Sequence, residues 1–411
     1  MKHLLTDILI LLALLTVWSC SDDPATPATD DLIREEKTVA VILPMEKGLG
    51  EHWTRCLNLF SSNFERAFKA QASGVKLRFE YYDELTADLE EISGELAKRE
   101  EVYAVIGGLY SSDAAIIASQ LTRSGKALFT LATSEELVRG YASTGYLWAM
   151  TETDITQCEV LLSKVVNYGG KSVALIAKDN DIYGQTFIDW FAFQAKELGL
   201  ENRGTYAYDD SSLDEMTRSA MQSGADYVIC VPSEITEIEP MLRTYTSIQP
   251  RAAGANAPRL LFSDTAYGAD VLSLYGDKAE GIEGVAFGAD PEYGFDVSYR
   301  TFYDVSPTTG EAQLYDAAML IGYAAWYQML HPGVSQQKAL QAVVSGEQLS
   351  MGNWTGEAME LMVNAFARGD EPYVRGAIFN AFRANGIQAA TFLQLIDSKS
   401  TDSFMTDRKP Q

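Results

Sequence analysis

From residue 38 the chain alternates short apolar runs with stretches whose apolar positions recur every three or four residues. "TVAVILP" leads into a helix-period stretch from Trp53 to Lys69, and "KLRFEYYD" into one from Leu85 to Arg99. "YAVIGGL" leads into another from Ser111 to Arg123, after which "ALFTLA" follows. Runs apolar at successive positions predict strands buried on both faces, and a helix after each predicts a parallel sheet covered on both sides. The rhythm restarts after "YLWAM", with strands at "SVALIAKD", "GTYAYDD", "DYVICVP" and "RLLFSD". Helices are predicted there around Thr186–Leu198, Leu213–Ser223 and Glu234–Ser247. "GIEGVAFG" then returns, followed by the helical "EAQLYDAAMLIGYAAWYQML" and "SQQKALQAVVSG". The chain closes on strand-like "YVRGAIFNAF" and "ATFLQLIDS", with a turn at Asn385-Gly386 between them.

This order predicts an α/β protein of two successive Rossmann-like lobes, each a doubly wound parallel sheet. Elements placed after both lobes predict discontinuous domains. Lobe 1 takes residues 37–150 plus about 289–372, lobe 2 takes 151–288 plus about 373–398, and 399–411 form a tail.

The N-terminus does not share the pattern. "MKHLLTDILILLALLTVWSC" has a basic start, an apolar run of about ten residues, then Ser19 and Cys20. That run is short of the ~20 residues a bilayer-spanning helix needs, and it reads as a secretion signal. Ending on a cysteine, residues 1–20 resemble a bacterial lipoprotein signal peptide, although Trp18 is bulkier than that signal's usual residue. The resemblance implies a lipidated Cys20 and a membrane-anchored place in the cell envelope, facing periplasm or cell surface. An ordinary signal peptide with a chance cysteine is the plainer alternative. Residues 21–36, opening with "SDDPATPATDD", are polar and proline-containing and predict a flexible tether. Their acidic run resembles the surface-export signal of Bacteroidetes lipoproteins.

Length and charge narrow the function. A chain of 411 residues fits two domains of ordinary size. Against 57 acidic residues stand 32 basic ones, and the net charge of −25 sets up a field that repels nucleic acid. It leaves room for an anionic ligand held locally by backbone amides. Cys56, Cys158 and Cys230 are too scattered for a disulfide framework or a C-x-x-C pair, and one Cys158–Cys230 bridge stays open. Only His52 and His331 follow the signal, without metal-binding spacing. "GGKS" at 169–172 has Val165 where a phosphate loop needs glycine, and no G-x-S-x-G elbow occurs. These features predict no enzyme, no metal and no cofactor.

Four segments should meet beyond the carboxyl ends of the strands, where open α/β sheets bind ligands: "LPMEKGLGEHW", "GGLYSSDA", "FTLATSEEL" and "AKDNDIYGQT". Ser111, Ser112 and Thr133 offer hydroxyls beside helix-start amides, a set that holds a carboxylate without any cation. Gly107 and Gly108 would let the backbone approach the ligand. Each residue also has a purely structural reading. Ser111, Ser112 and Thr133 are good helix caps, Tyr183 a turn aromatic, and Trp53 a core residue.

In sequence order these segments, together with "LYDAAMLIGYA" and "VRGAIFNAFRANG", resemble the type 1 periplasmic binding proteins, in the leucine/isoleucine/valine-binding branch. The resemblance spans residues 38 to 398 and implies a Venus-flytrap clamshell with a three-segment hinge and a permease of the ABC type as partner. It implies that Ser111 and Thr133 hold an amino acid's α-carboxylate, with Leu131 where the family offers backbone groups. It further implies Tyr183 on the second lobe, His52 or Trp53 over the ligand's side chain, and Asp264 on its α-ammonium. The sequence departs from the family at Pro232-Ser233, where a tyrosine is expected, and in about twenty extra residues around "MGNWTGEAMELMVNAFARG". The family's first-lobe disulfide has no counterpart, since Cys56 has no partner cysteine in this lobe. The alternative function is a clamshell lipoprotein that senses or interacts, regulating an envelope enzyme or signalling partner.

Overall fold

The structure, a computed structural model, describes residues 33–46, 48–248, 257–267, 283–289, 294–345 and 355–370, with a few isolated positions and short strands beyond. The signal segment, Cys20, the tether up to residue 32 and Asn385 of the expected C-terminal turn lie outside the described residues.

One parallel sheet holds β1 (Ile33–Leu43), β2 (Ser73–Asp83), β3 (Val102–Gly107), β4 (Ala127–Thr130) and β5 (Leu147–Ala149), in the order β2-β1-β3-β4-β5. A second holds β6 (Ser172–Lys178), β7 (Glu201–Tyr208), β8 (Tyr227–Val231), β9 (Arg259–Phe262) and β10 (Glu283–Gly288), in the order β10-β9-β8-β6-β7. Neighbours in it are parallel as well. The strand Phe392–Asp397 joins β10 antiparallel. β1 starts four residues inside the expected tether, because Ile33 to Glu36 pair with Ser73 to Lys76 and Arg34 reaches Glu65 at 3.0 Å.

Helices α1 (Leu49–Ala67), α2 (Leu89–Lys98), α3 (Ser111–Ser124) and α4 (Glu135–Tyr141) connect the first sheet. Around the second lie α5 (Asp154–Asn167), α6 (Ile182–Glu197), α7 (Leu213–Met221) and α8 (Ile238–Ile248). After β10 come α9 (Phe295–Tyr303), α10 (Glu311–Leu330), α11 (Gln336–Val343) and α12 (Gly356–Ala367). The two-lobed α/β architecture read from the sequence is the one observed. α6 begins a turn earlier than its apolar period suggests, because the Asp181 carboxylate accepts the Gly184 amide at 2.9 Å and starts the helix at Ile182.

α9 to α12 return to the first lobe. α10 is buried all round from Glu311 to Trp326, as expected of a helix without a polar face. On α1 and at its C-cap, Phe60, Phe64 and Phe68 follow one another at a spacing of four and so share a face. They meet Tyr315, Tyr323 and Trp326 of α10 edge-on, at 5.7, 5.9 and 5.0 Å between ring centroids. Each ring buried there contributes about 1.5–3 kcal/mol against chain entropy. The opposite face of the sheet is covered by α2 and α3. The chain thus crosses between lobes after β5, after β10 and again before Phe392. All three described cysteines are buried and free, so Cys158 and Cys230 form no bridge. Among the described residues no helix is long and apolar enough to cross a membrane.

Candidate functional site

A cavity of about 320 Å³ opens between the lobes, at the carboxyl ends of both sheets. That volume is at the small end of ligand pockets, which run ~300–1,000 Å³, and suits a metabolite. Trp53, Ser111, Ser112, Leu131, Thr133, Tyr183 and Asp264 all line it. His52 does not: its Nδ1 stands 3.5 Å from Glu311 Oε2, at the start of α10.

The first-lobe wall is built on α3. The N-cap position is Tyr110, not a serine, and no side chain of α3's own start caps it. The Glu84 carboxylate does that work from the end of β2, taking the Leu109 and Tyr110 amides at 3.0 Å. Ser111 is therefore the first helical residue, and its hydroxyl bonds to no other described residue. The amides of Ser111, Ser112 and Asp113 have no acceptor among the described residues, so the positive end of α3 opens onto the cavity. Burial of Glu84, with Asp113 beside it, pushes its carboxyl up to about 8 despite those amides.

Thr133 is not a cap either. Ser134 caps α4 through the Leu137 amide, and the Thr133 carbonyl accepts the Asp154 amide at 2.9 Å. The Leu131 amide is spent on the Gly108 carbonyl at 3.2 Å. Trp53, 1% exposed, donates its indole N–H to the Pro44 carbonyl at 2.8 Å and forms part of the wall. Gly108 serves the fold first. Its φ of +78° suits glycine, and a Cβ there would sit 2.5 Å from that of Ala114. The expected close approach to ligand is a close approach of β3 to α3.

The second-lobe wall is acidic. Tyr183 donates its hydroxyl to Asp264 Oδ1 at 2.6 Å, and the Asp264 amide donates to Gln157 Oε1 at 3.1 Å. Behind Asp264 lies Asp154, fully buried, with neither carboxylate oxygen in a hydrogen bond. Burial and the nearby Asp264 raise the Asp154 carboxyl, and the Thr133 side chain only partly offsets them. Burial raises Asp264 too, while Tyr183 and Gln157 favour its charged form. Asp181 and Glu234 join this wall, linked through Ser233, whose hydroxyl donates to Asp181 at 2.7 Å. Ser233 stands where the family's tyrosine was expected, and Tyr267 also lines the cavity. Lys178 is held by Asp210 at 2.8 Å and Glu237 at 3.3 Å. Burial alone would lower its ammonium, but these two partners raise it.

Sequence reasoning missed Glu84, Thr151, Asp154, Asp181 and Glu234. Of these only Asp181 carried a local signal, as a helix-starting aspartate three residues before Gly184. Thr151 lines the cavity at the crossing after β5, 1% exposed and with its hydroxyl unpartnered.

A family model described as periplasmic binding protein matches residues 39–342. No curated protein matches the chain. Among solved structures, the leucine binding protein LivK of Thermotoga maritima is similar at 17% identity and a TM-score of 0.63, over 89% of this chain and 97% of its own. The branched-chain amino acid transporter substrate binding protein LivJ of Streptococcus pneumoniae, in complex with isoleucine, matches at 16% identity and a TM-score of 0.60, over 90% of this chain and 99% of its own. An ABC transporter solute binding protein of Rhodopseudomonas palustris, in complex with p-hydroxybenzoic acid, matches at 15% identity and a TM-score of 0.66, over 92% and 96%. With the family match covering most of both lobes and the fold shared along their length, the chain belongs to the periplasmic binding protein family.

Proposed function

We propose that the protein is an extracytoplasmic solute-binding lipoprotein, not an enzyme, anchored through Cys20. It captures a small carboxylate-bearing ligand, an amino acid, between its lobes for delivery to an ABC-type permease. The observation that carries this reading is the open start of α3, where three unengaged amides and the Ser111 hydroxyl face the cavity across from Asp264 and Tyr183. A carboxylate is stabilised by helix-start amides, and an ammonium by the carboxylates opposite. One zwitterion matches both walls. LivK and LivJ, named for leucine and branched-chain amino acids, support the amino-acid reading, whereas the benzoate protein shares only the carboxylate. Residues 37–150 with 289–372, and 151–288 with 373–398, act as the two moving bodies.

Every described element begins at or after Ile33, so the chain from residue 21 keeps the described fold. In that form an amino acid at 100 times its Kd raises stability by about 2.7 kcal/mol, readable as a melting shift. Ser111→Ala with Thr133→Ala is expected to abolish the shift. A folded protein that shows no shift across amino acids and small carboxylates, or an unchanged affinity in the double variant, defeats the assignment.

A further inference from the structure

The cavity wall carries more negative charge than one α-ammonium uses. Asp113, Asp181, Glu234 and Asp264 all line it, against Lys178 alone among lining cations, and Lys178 is already held by Asp210 and Glu237. None of the four forms an ion pair with a described residue: Asp181, Glu234 and Asp264 accept from neutral donors, and Asp113 hydrogen-bonds to the Glu84 carboxyl. Asp154 adds a fifth carboxyl behind Asp264, fully buried and without a hydrogen bond. Asp154, whose amide bonds to the Thr133 carbonyl, and its neighbour Asp264 fall to the α-ammonium of a ligand whose carboxylate sits on α3. The remaining three are disposed differently. Asp113 is on the first lobe, in the first turn of α3, whereas Asp181 and Glu234 belong to the second lobe and Glu234 stands exposed at the rim.

Closure brings like charges from the two lobes together at the rim, an arrangement that disfavours the closed form unless a cation lies between them. A carboxylate accepts about four hydrogen bonds, and Asp181 uses two of these on Gly184 and Ser233. The buried, unpartnered Thr151 hydroxyl gives the cavity one more polar group awaiting a partner. Among the described residues no three acidic, histidine or cysteine side chains meet in a metal-binding group, which favours an organic cation.

We propose that the ligand is a basic amino acid, whose side-chain ammonium or guanidinium lies between Asp113 of the first lobe and Asp181 and Glu234 of the second. The inference rests on the amino-acid reading above and names its substrate class.

Calorimetric titration of the chain from residue 21 with matched pairs tests it: arginine against citrulline, lysine against norleucine, with leucine and 4-hydroxybenzoate alongside. The charged member of each pair is expected to bind about tenfold tighter or more, and the gap to narrow as salt is raised. Asp113→Asn is expected to remove most of that preference and Glu234→Gln a few-fold of it, read as the ratio of arginine to citrulline affinity within each variant, while a cooperative urea transition shows that both fold. Citrulline, norleucine or leucine binding as tightly as the basic partners overturns the second-cation inference and leaves the amino-acid reading standing. Binding by 4-hydroxybenzoate alone, or by nothing in the panel, overturns both. A preference for arginine that survives both substitutions overturns the placement at Asp113 and Glu234.

Discussion

Glu84 shows how a single side chain can set the chemistry of a site it does not line. Its carboxylate takes the two amides just before α3, which leaves the next three for a ligand. Serines at a helix start read naturally as caps, and the sequence around them contains nothing to say that a carboxylate from the end of β2, some 25 residues earlier, has taken that position. The same burial carries a cost that pH reveals. An unfolded glutamate titrates near 4.5, and Glu84 in the fold titrates at about 8, so the folded state keeps a proton that the unfolded state has lost. Its contribution is whole below about pH 4.5 and is lost as pH rises through about 8. Glu84→Gln keeps an acceptor for the amides and removes the ionisation. Between about pH 5 and 8.5 the wild type is expected to lose on the order of a few kcal/mol relative to this variant, because each tenfold difference in proton affinity between the folded and unfolded states is worth about 1.4 kcal/mol. Urea denaturation across that range decides it; parallel stability curves for the two proteins would sink the assignment.

Among elements, strands were the most legible, because a strand covered on both faces is apolar at every position, as β3 in "YAVIGGL" and β8 in "DYVICVP" are. Helix starts were less so. α6 begins at Ile182 and not at Thr186, since a capping side chain and not the apolar period decides where a helix opens. These carboxylates were illegible for another reason: Asp154 follows β5 of the first sheet, while Asp181, Glu234 and Asp264 follow β6, β8 and β9 of the second, and only the packing of the fold brings them together. The Tyr-Gly pair at 183–184 was visible, but the glycine's role was not. A Cβ on Gly184 would lie 2.4 Å from the Lys178 carbonyl oxygen, so glycine lets α6 sit directly on the end of β6 and aim Tyr183 at Asp264. Backbone does not yield as a side-chain tip does. Gly184→Ala is therefore expected to cost about 1–3 kcal/mol of stability and to weaken every ligand alike by displacing Tyr183. Chemical denaturation with calorimetry checks both, and a variant of wild-type stability and affinity contradicts the close docking.

At the scale of the whole molecule, the lobes touch where α4 meets α6. The Ser134 hydroxyl donates to the Ile182 carbonyl at 2.9 Å, joining a first-lobe cap to the first residue of a second-lobe helix, one position from Tyr183. A bond between lobes that touches no ligand acts on the open–closed equilibrium alone. If a ligand binds only the closed form, the apparent Kd is the intrinsic value divided by the closed fraction, so any bond that favours closure strengthens all ligands by one common factor. Ser134→Ala removes a hydrogen bond worth about 1 kcal/mol and is expected to weaken every ligand by the same few-fold factor. It also removes the α4 cap, which registers separately as about 0.5–2 kcal/mol of stability. Uniformity is what separates this effect from that of Asp113→Asn, which changes the ratio between charged and uncharged ligands. Small-angle scattering supplies the second readout: the radius of gyration should fall on adding ligand to the wild type, and the unliganded variant should be at least as expanded as the unliganded wild type. A loss confined to one ligand, or an affinity unchanged while the cap's stability is lost, would show that the Ser134–Ile182 bond holds α4 and leaves closure untouched.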